Sequence, residues 1–173
     1  MALINVTLRI VGLYFNETVT INDKTNLTVQ EVVDEYVKLH PNLNVAGGLE
    51  YSLFQSGSDS FIKSFTYNYD GIYNFDASVG PKVIPPDGKT LGNQTRTAGL
   101  CKLSEDFEDQ FADKSLGLVW QYYVANKNGK PKSKTPVSRG FQPFGENLGG
   151  YNLAKNDIIT WRLVGIVRGP NVP

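Results

Sequence analysis

The chain has 173 residues and carries 17 basic and 17 acidic side chains, so its formal net charge is zero. A neutral chain has no overall field to attract nucleic acid or an anionic membrane surface, and we expect neither as a partner. No apolar run approaches the roughly 18 residues that span a bilayer, so no membrane span is expected.

Two segments with period-two alternation open the chain and predict a hairpin of half-buried strands. The first covers residues 3–11, Gly12 permits a turn, and the second covers residues 14–21. The apolar positions that share one side are Ile4, Val6, Leu8 and Ile10 in the first segment and Phe15, Val19 and Ile21 in the second.

A capped helix is predicted next. Thr28 and Glu31 have the spacing of a capping box, and Leu27 and Val32 have that of a hydrophobic staple. We expect the helix to end before Pro41, because the residue that precedes a proline disfavours helical geometry. Helical spacing gives one apolar stripe, made of Val29, Val32, Val33, Tyr36 and Val37.

The remaining chain is predicted as strands, loops and one short helix. In chain order these are a strand at Leu49–Gln55, a hairpin around Phe61–Phe75, an extended loop to residue 99, a short helix at Ser104–Asp113, and strands at 116–124 and 157–167. In the last strand Thr160 and Arg162 lie opposite an apolar face of Ile159, Trp161 and Leu163.

A hairpin, a helix and further strands in this order are typical of a β-grasp fold, in which the helix lies across one face of a mixed sheet. We therefore predict an α+β, ubiquitin-like β-grasp domain over residues 1–168, with one main helix. A large loop and hairpin insertion is expected at about residues 56–114, and residues 169–173 are expected to form a loose tail.

The chain contains one cysteine, Cys101, which excludes an internal disulfide. This count, together with an N-terminus that lacks a basic segment followed by an apolar one, favours a cytoplasmic protein. Met1 could also stand in place of a removed signal, so the compartment stays open.

Several kinds of chemistry are excluded by residue type. A single histidine, His40, cannot form a multi-histidine metal site, and no Gly-x-Ser-x-Gly elbow occurs. The segment 87–90 is similar to the end of a phosphate loop, but Val83 occupies the position of a required glycine. The acidic residues in 105–113 lack the spacing of a calcium loop. We therefore predict no metal and no cofactor, and assign no catalytic residue.

Positive and aromatic side chains also bear on whether the chain binds a ligand. No acid occurs from Lys114 to Gly145, although the same stretch holds several lysines and Arg139. This stretch is either a solvated connector or a loop that attracts an anionic ligand. Tyrosines are numerous, and each offers a flat apolar face with a hydroxyl, so they favour either core packing or a ligand groove.

Three short motifs carry a resemblance to a known family. The motifs are Trp120-Gln-Tyr-Tyr, Leu148-Gly-Gly-Tyr and Asp157-Ile-Ile-Thr-Trp. Together they resemble the small C-terminal β-grasp domain of transcobalamin and intrinsic factor, and its bacterial relatives, over roughly 1–55 and 115–165. The resemblance implies that any ligand contact lies on the Trp120–Tyr123 strand and at the Gly149–Tyr151 step.

We therefore expect a non-enzymatic binding module for a small aromatic or amphipathic ligand, or for a protein segment. An assembly protein that pairs through sheet edges, including with copies of itself, is one alternative. A small cofactor-free enzyme that uses tyrosine, arginine and carboxylate groups is the other. The predicted ligand contacts are Tyr122, Tyr123, Arg139, Phe141, Gly149, Gly150 and Tyr151.

Overall fold

In a computed structural model of the chain, the structure describes residues 2–68, 95–97, 100–104, 116–132, 137–138 and 153–167. This part of the chain is an α+β arrangement of one helix and two sheets, and strands make up most of it. The elements are β1 (Leu3–Ile10), β2 (Phe15–Asn22), α1 (Val29–Leu39), β3 (Leu49–Ser56), β4 (Asp59–Asn68), β5 (Thr95–Thr97), β6 (Leu100–Ser104), β7 (Leu116–Ala125), β8 (Val137–Ser138) and β9 (Ile158–Val167).

The first sheet has five strands in the order β2-β1-β9-β7-β8. β1 and β2 form the predicted antiparallel hairpin, which is confirmed, and β7 pairs antiparallel with β9 along its whole length. Among the described strands, the one parallel pair joins β1 to β9, the first and last of them in sequence. The paired residues of β1 and β9 are therefore about 150 residues apart in sequence, since Arg9 pairs with Thr160.

The turn between β1 and β2 packs toward the second sheet. Leu13 in this turn is fully buried, and Gly12 adopts a positive φ of 93° that a residue with a Cβ rarely adopts. A Cβ at Gly12 would lie 2.7 Å from the Cδ1 atom of Leu103 in β6. Glycine at this position therefore permits both the turn and its close approach to β6.

The capping box at the start of α1 is confirmed. The Glu31 amide donates to the Thr28 hydroxyl at 3.2 Å, and the Thr28 amide donates to the Glu31 carboxylate at 2.9 Å. At the other end the Tyr36 hydroxyl donates to the carbonyl of Gly47 at 2.9 Å, and the His40 ring stacks on Tyr36 at 4.3 Å between centroids. The buried helix positions, Val29, Val32, Val33 and Tyr36, belong to the predicted apolar stripe.

The second sheet has four strands in the order β3-β4-β6-β5 and faces the same core as the first. Phe65 of β4 makes edge-on contacts with Trp120 at 5.0 Å and with Trp161 at 5.5 Å between centroids. The Trp120 indole donates to the carbonyl of Lys63 at 3.2 Å. These contacts bury the aromatic residues of β7 and β9 against β4, so the core lies between the two sheets and the helix.

Part of the predicted insertion contributes to this second sheet. The strand expected at Leu49–Gln55 is confirmed as β3. Residues 61–68 of the hairpin expected around Phe61–Phe75 lie in β4, which pairs with β3.

Two expectations were wrong at particular residues. Thr95–Thr97, within the loop expected to residue 99, form β5, and Ser104, expected to begin a short helix, is the last residue of β6, because both segments pair in the second sheet. The rest of the expected hairpin, the rest of the expected short helix and the tail at 169–173 lie outside the described residues.

Candidate functional site

The two faces of β7 have different surroundings, and they separate two of the predicted ligand contacts. Tyr122 points into the core, is 2% exposed, and packs against Trp161 at 4.6 Å between centroids. Tyr123 is the next residue, so its ring lies on the opposite face of the sheet, where it is half-buried. The two tyrosines therefore do not share one surface, and Tyr123 is the one that could meet a ligand.

Tyr123 belongs to a row of polar side chains that crosses four strands in register. Asn16 of β2 pairs with Arg9 of β1, Arg9 pairs with Thr160 of β9, and Thr160 pairs with Tyr123 of β7. The Arg9 Nε atom donates to the Asn16 side-chain oxygen at 3.1 Å. Register alone thus brings an amide, a guanidinium, a hydroxyl and a phenol into one line on the face opposite the core.

A second arginine stands beside this row. Arg162, two residues after Thr160 on β9, pairs with Gln121 of β7, and its guanidinium carbon lies 5.4 Å from the centroid of the Tyr123 ring. This distance is within the range of a cation–π contact. The Nε atom of Arg162 is buried and has no hydrogen-bond partner within the part of the chain that the structure describes. Within the described residues, the contact of the Arg162 side chain is therefore the one with the Tyr123 ring.

We call the face of the first sheet opposite the core the outer sheet face. On the described strands it presents two arginines and no carboxylate. Exposure decreases across it, from the exposed residues of β1 and β2 to the buried Val119 and Ala125 of β7. Its positions are Leu3, Asn5, Thr7, Arg9, Asn16, Thr18, Thr20, Asn22, Val119, Gln121, Tyr123, Ala125, Ile158, Thr160, Arg162 and Val164.

The electrostatic character of the outer sheet face follows from that composition. The polar neighbours of the arginines are amides and hydroxyls, and an additional hydrogen bond joins Thr20 to Asn5 at 2.9 Å. No ion pair involves Arg9 or Arg162 among the residues whose positions are described. Within the described strands, the charged side chains of the outer sheet face are therefore Arg9 and Arg162, both positive, and Arg162 is half-buried.

Sequence reasoning found part of this site and missed the rest. The alternation of the last strand placed Thr160 and Arg162 on the face opposite the core, and the structure has them there. Arg9 was missed as a site residue, although the same alternation in β1 marks it as outward-facing. Five predicted ligand contacts lie outside the described residues: Arg139, Phe141, Gly149, Gly150 and Tyr151.

A separate cavity of about 300 Å³ lies between the end of β2 and the helix. Lys24 forms an ion pair with Glu31 at its rim, and the Tyr51 hydroxyl donates to the Asp34 carboxylate at 2.5 Å. Burial and this hydrogen bond raise the pKa of Tyr51 to about 12, so it stays protonated at neutral pH. The lining residues are Ile21, Asn22, Lys24, Leu27, Glu31, Asp34, Glu35 and Lys38.

Neither a metal centre nor a membrane helix is found in the described ranges. No three residues of the His, Cys, Asp and Glu types come together there as ligands for a metal ion. Of the helices described, none has the length and apolar character needed to cross a membrane. No protein-family model matches the chain, and no curated protein matches it.

Proposed function

We propose that this chain is a non-enzymatic binding module that holds an amphipathic ligand with a carboxylate or phosphate group on its outer sheet face. The observation that carries the proposal is the contact between Arg162 and Tyr123, which stands beside the row from Arg9 to Tyr123. A cation and an aromatic face then meet the two ends of one ligand.

The arginines favour an anionic group on the ligand. A half-buried guanidinium is incompletely hydrated, and a carboxylate or phosphate that accepts its hydrogen bonds replaces the lost water. Arg162 is half-buried and forms no ion pair among the described residues. An anionic group therefore gains more at Arg162 than at Arg9, which is exposed and already donates to Asn16.

The surroundings of Tyr123 and Thr160 favour an apolar group on the ligand. The phenol ring of Tyr123 is half-buried and offers an apolar surface beside the cation. Thr160, its partner in the adjacent strand, is buried and borders this surface. Ligand-binding sites typically have a small number of polar groups that a rigid element such as a sheet holds beside an apolar surface. A purely ionic ligand would leave the Tyr123 ring unused.

We also infer that the first sheet and α1 form a β-grasp unit with the second sheet as its elaboration. The central parallel pair of β1 and β9, the flanking antiparallel pairs and the helix that follows β2 support this inference. The resemblance to the transcobalamin and intrinsic factor C-terminal domain stays a proposal. Under it, Tyr123 lies on the strand that the resemblance assigns to ligand contact.

The test compares three probes that share a phenyl group: 4-phenylbutyrate, phenyl phosphate and the neutral 4-phenylbutanol. Titration calorimetry and amide chemical shifts should show that the two anions bind at Tyr123, Thr160 and Arg162 and that the alcohol binds more weakly. Arg162→Gln should reduce anion binding by about ten- to a hundredfold, since a hydrogen bond to a charged group contributes about 1.5–3 kcal/mol. Lys38→Gln, which removes a cation from the helix, is the matched control and should leave binding unchanged.

Two results would count against this function. Equal binding of the alcohol and the anions would remove the role of the arginines. Shift changes confined to residues far from β7 and β9 would move the site elsewhere.

A further inference from the structure

One edge of the first sheet lies at β2. β2 pairs with β1 through eight consecutive residue pairs, without a register shift. It ends the first sheet, because β1 is its only neighbour among the described strands. A strand at the edge of a sheet presents backbone donors and acceptors that can pair with another strand.

The hydrogen bonds of β1 show which residues of β2 face outward. The Thr7 amide donates to the Asp157 carbonyl at 2.8 Å, and the Asn156 amide donates to the Asn5 carbonyl at 2.6 Å. Odd-numbered residues of β1 therefore direct their backbone groups toward β9, and even-numbered residues direct theirs toward β2. From the register, the residues of β2 whose backbone groups point away from the sheet are Asn16, Thr18, Thr20 and Asn22.

This edge has few of the features that usually prevent strand addition. Edge strands of natural proteins are commonly protected by charged side chains, especially lysine, by proline, by a bulge or by a very short length. β2 is eight residues long, contains no lysine or proline, pairs with β1 without a bulge, and has Glu17 as its one charged side chain. The residues whose backbone groups point away from the sheet include Thr18 and Thr20, which are β-branched and favour an extended backbone.

The face of β2 that points toward α1 determines which side chains of a partner strand fit. Glu17, Val19 and Ile21 share this side, and Glu17 is exposed while Val19 is buried. Burial, together with the Glu17 carboxylate, raises the pKa of Tyr36 in the helix. Ile21 opens onto the cavity between β2 and α1.

The charges around that cavity leave a net negative balance. Lys24 pairs with Glu31 and Lys38 pairs with Glu35, so these four charges compensate one another. Asp34 lies in the same lining, and Glu17 is on β2, four residues before the lining residue Ile21. A cationic side chain at the position opposite Glu17 would meet a carboxylate that no ion pair involves in the described part of the chain.

We propose that the free edge of β2 adds an extended segment of a partner protein. This segment carries a lysine or arginine opposite Glu17 and, four residues along, a long apolar side chain that enters the cavity beside Ile21. A second copy of the chain fits less well. Antiparallel pairing of two β2 strands about Glu17 sets like charges opposite each other, and pairing about Thr18 sets Glu17 opposite Val19.

The test uses two capped synthetic peptides, Thr-Lys-Thr-Val-Thr-Leu-Thr and the same residues in reverse order, which cover parallel and antiparallel addition. Matched peptides have Glu in place of Lys. Binding is measured by titration calorimetry, and the location by amide chemical shifts. We expect a Lys peptide to bind the wild-type chain about two- to fivefold more tightly than its Glu counterpart, and Glu17→Lys to reverse this order.

A backbone variant tests the pairing itself. Thr18→Pro removes one outward amide donor and leaves the bonds to β1 intact, as proline is tolerated where an edge N–H faces solvent. It should weaken the Lys peptide by about two- to tenfold, whereas Thr18→Val, which retains the amide, should not. Circular dichroism confirms that each variant keeps its fold.

Three outcomes would overturn the proposal. The first is that no peptide binds, and the second is that Lys and Glu peptides bind equally to both the wild type and Glu17→Lys. The third is a concentration-dependent dimer in sedimentation that Thr18→Pro abolishes, because the edge would then be occupied by a second copy.

Discussion

The Lys132 ammonium lies 2.6 Å from the Oδ2 atom of Asp157, directly before the strand that joins β1 to β7. The Asp157 side chain is 4% exposed and that of Lys132 is 20% exposed, so solvent screens the pair weakly. The same carboxylate oxygen accepts the Ala154 amide at 2.7 Å, and the Asp157 carbonyl accepts the Thr7 amide at 2.8 Å. Asp157 therefore ties the start of β9 to β1 and to the segment after β7.

Removal of the Lys132 charge should destabilise the fold. Lys132→Met leaves the carboxylate of Asp157 buried without its cation, and we expect the free energy of unfolding to fall by about 2–4 kcal/mol. Adding Asp157→Asn removes the buried charge, so the double variant should recover part of this loss. Urea unfolding of the four proteins in the cycle measures the coupling, and simple additivity of the two single effects would contradict this account.

Truncation of Trp120 should be among the most damaging changes. This side chain is 2% exposed, contacts Phe65 edge-on, and donates to the Lys63 carbonyl. We expect Trp120→Ala to lower the free energy of unfolding by about 3–5 kcal/mol, because it leaves a large cavity in the core. Leu3→Ala is the control, since Leu3 is 63% exposed and should change stability by about 0.5 kcal/mol or less. A Trp120→Ala protein of near wild-type stability would exclude the packing role.

The Glu31 carboxylate should make stability depend on pH in the acid range. Burial alone would raise its pKa, but hydrogen bonds from Lys24 and Thr28 lower it below the ordinary value of 4.5. A folded-state pKa below the unfolded one stabilises the protein above pH 4.5, and this contribution is lost as the pH falls through the folded value. Glu31→Gln should therefore lose less stability on acidification than the wild type, as measured by thermal unfolding between neutral and acidic pH. An identical pH profile for both proteins would argue against the capping box as a source of acid sensitivity.

The Tyr51 phenol should ionise later than an ordinary tyrosine. Burial and the hydrogen bond to Asp34 raise its pKa from 10.0 to about 12. The folded protein thus gains stability from this group below pH 10, and the gain disappears as the pH rises through about 12. Ultraviolet titration of phenolate absorbance, compared with Tyr51→Phe, should show one missing late transition. Asp34→Asn should shift that transition to lower pH, whereas an unshifted transition would remove Asp34 as a cause.

Local patterns predicted the first part of the fold correctly. The alternation in β1 and β2 and the spacing of Thr28 and Glu31 depend on neighbours within one hairpin or one helical turn, so the sequence carries them directly. The second sheet was not predicted, because β4 pairs with β6 across an intervening stretch of more than 30 residues, as Asn68 pairs with Leu100. Hydrophobic periodicity identifies a strand but does not identify its partner.

The candidate site shows the same division between local and long-range information. Alternation indicates that Arg9 and Arg162 face away from the core, but their nearness depends on the parallel register between β1 and β9. That register pairs Arg9 with Thr160 and so determines the row that ends at Tyr123. A motif search compares residues that are close together in the sequence. The residues of this site come from four strands, and no strand contributes more than two of them, so such a search does not find the site.

The place of β9 between β1 and β7 has a consequence for biosynthesis. A ribosome releases β1 and β2 long before β9, so the nascent hairpin must wait with one side of β1 unpaired until nearly the whole chain has emerged. Loop closure over such a separation is slow, and unpaired strands favour aggregation while they wait. The yield of folded protein should therefore rise with the supply of chaperones during synthesis, whereas the free energy of unfolding of the final product should not change.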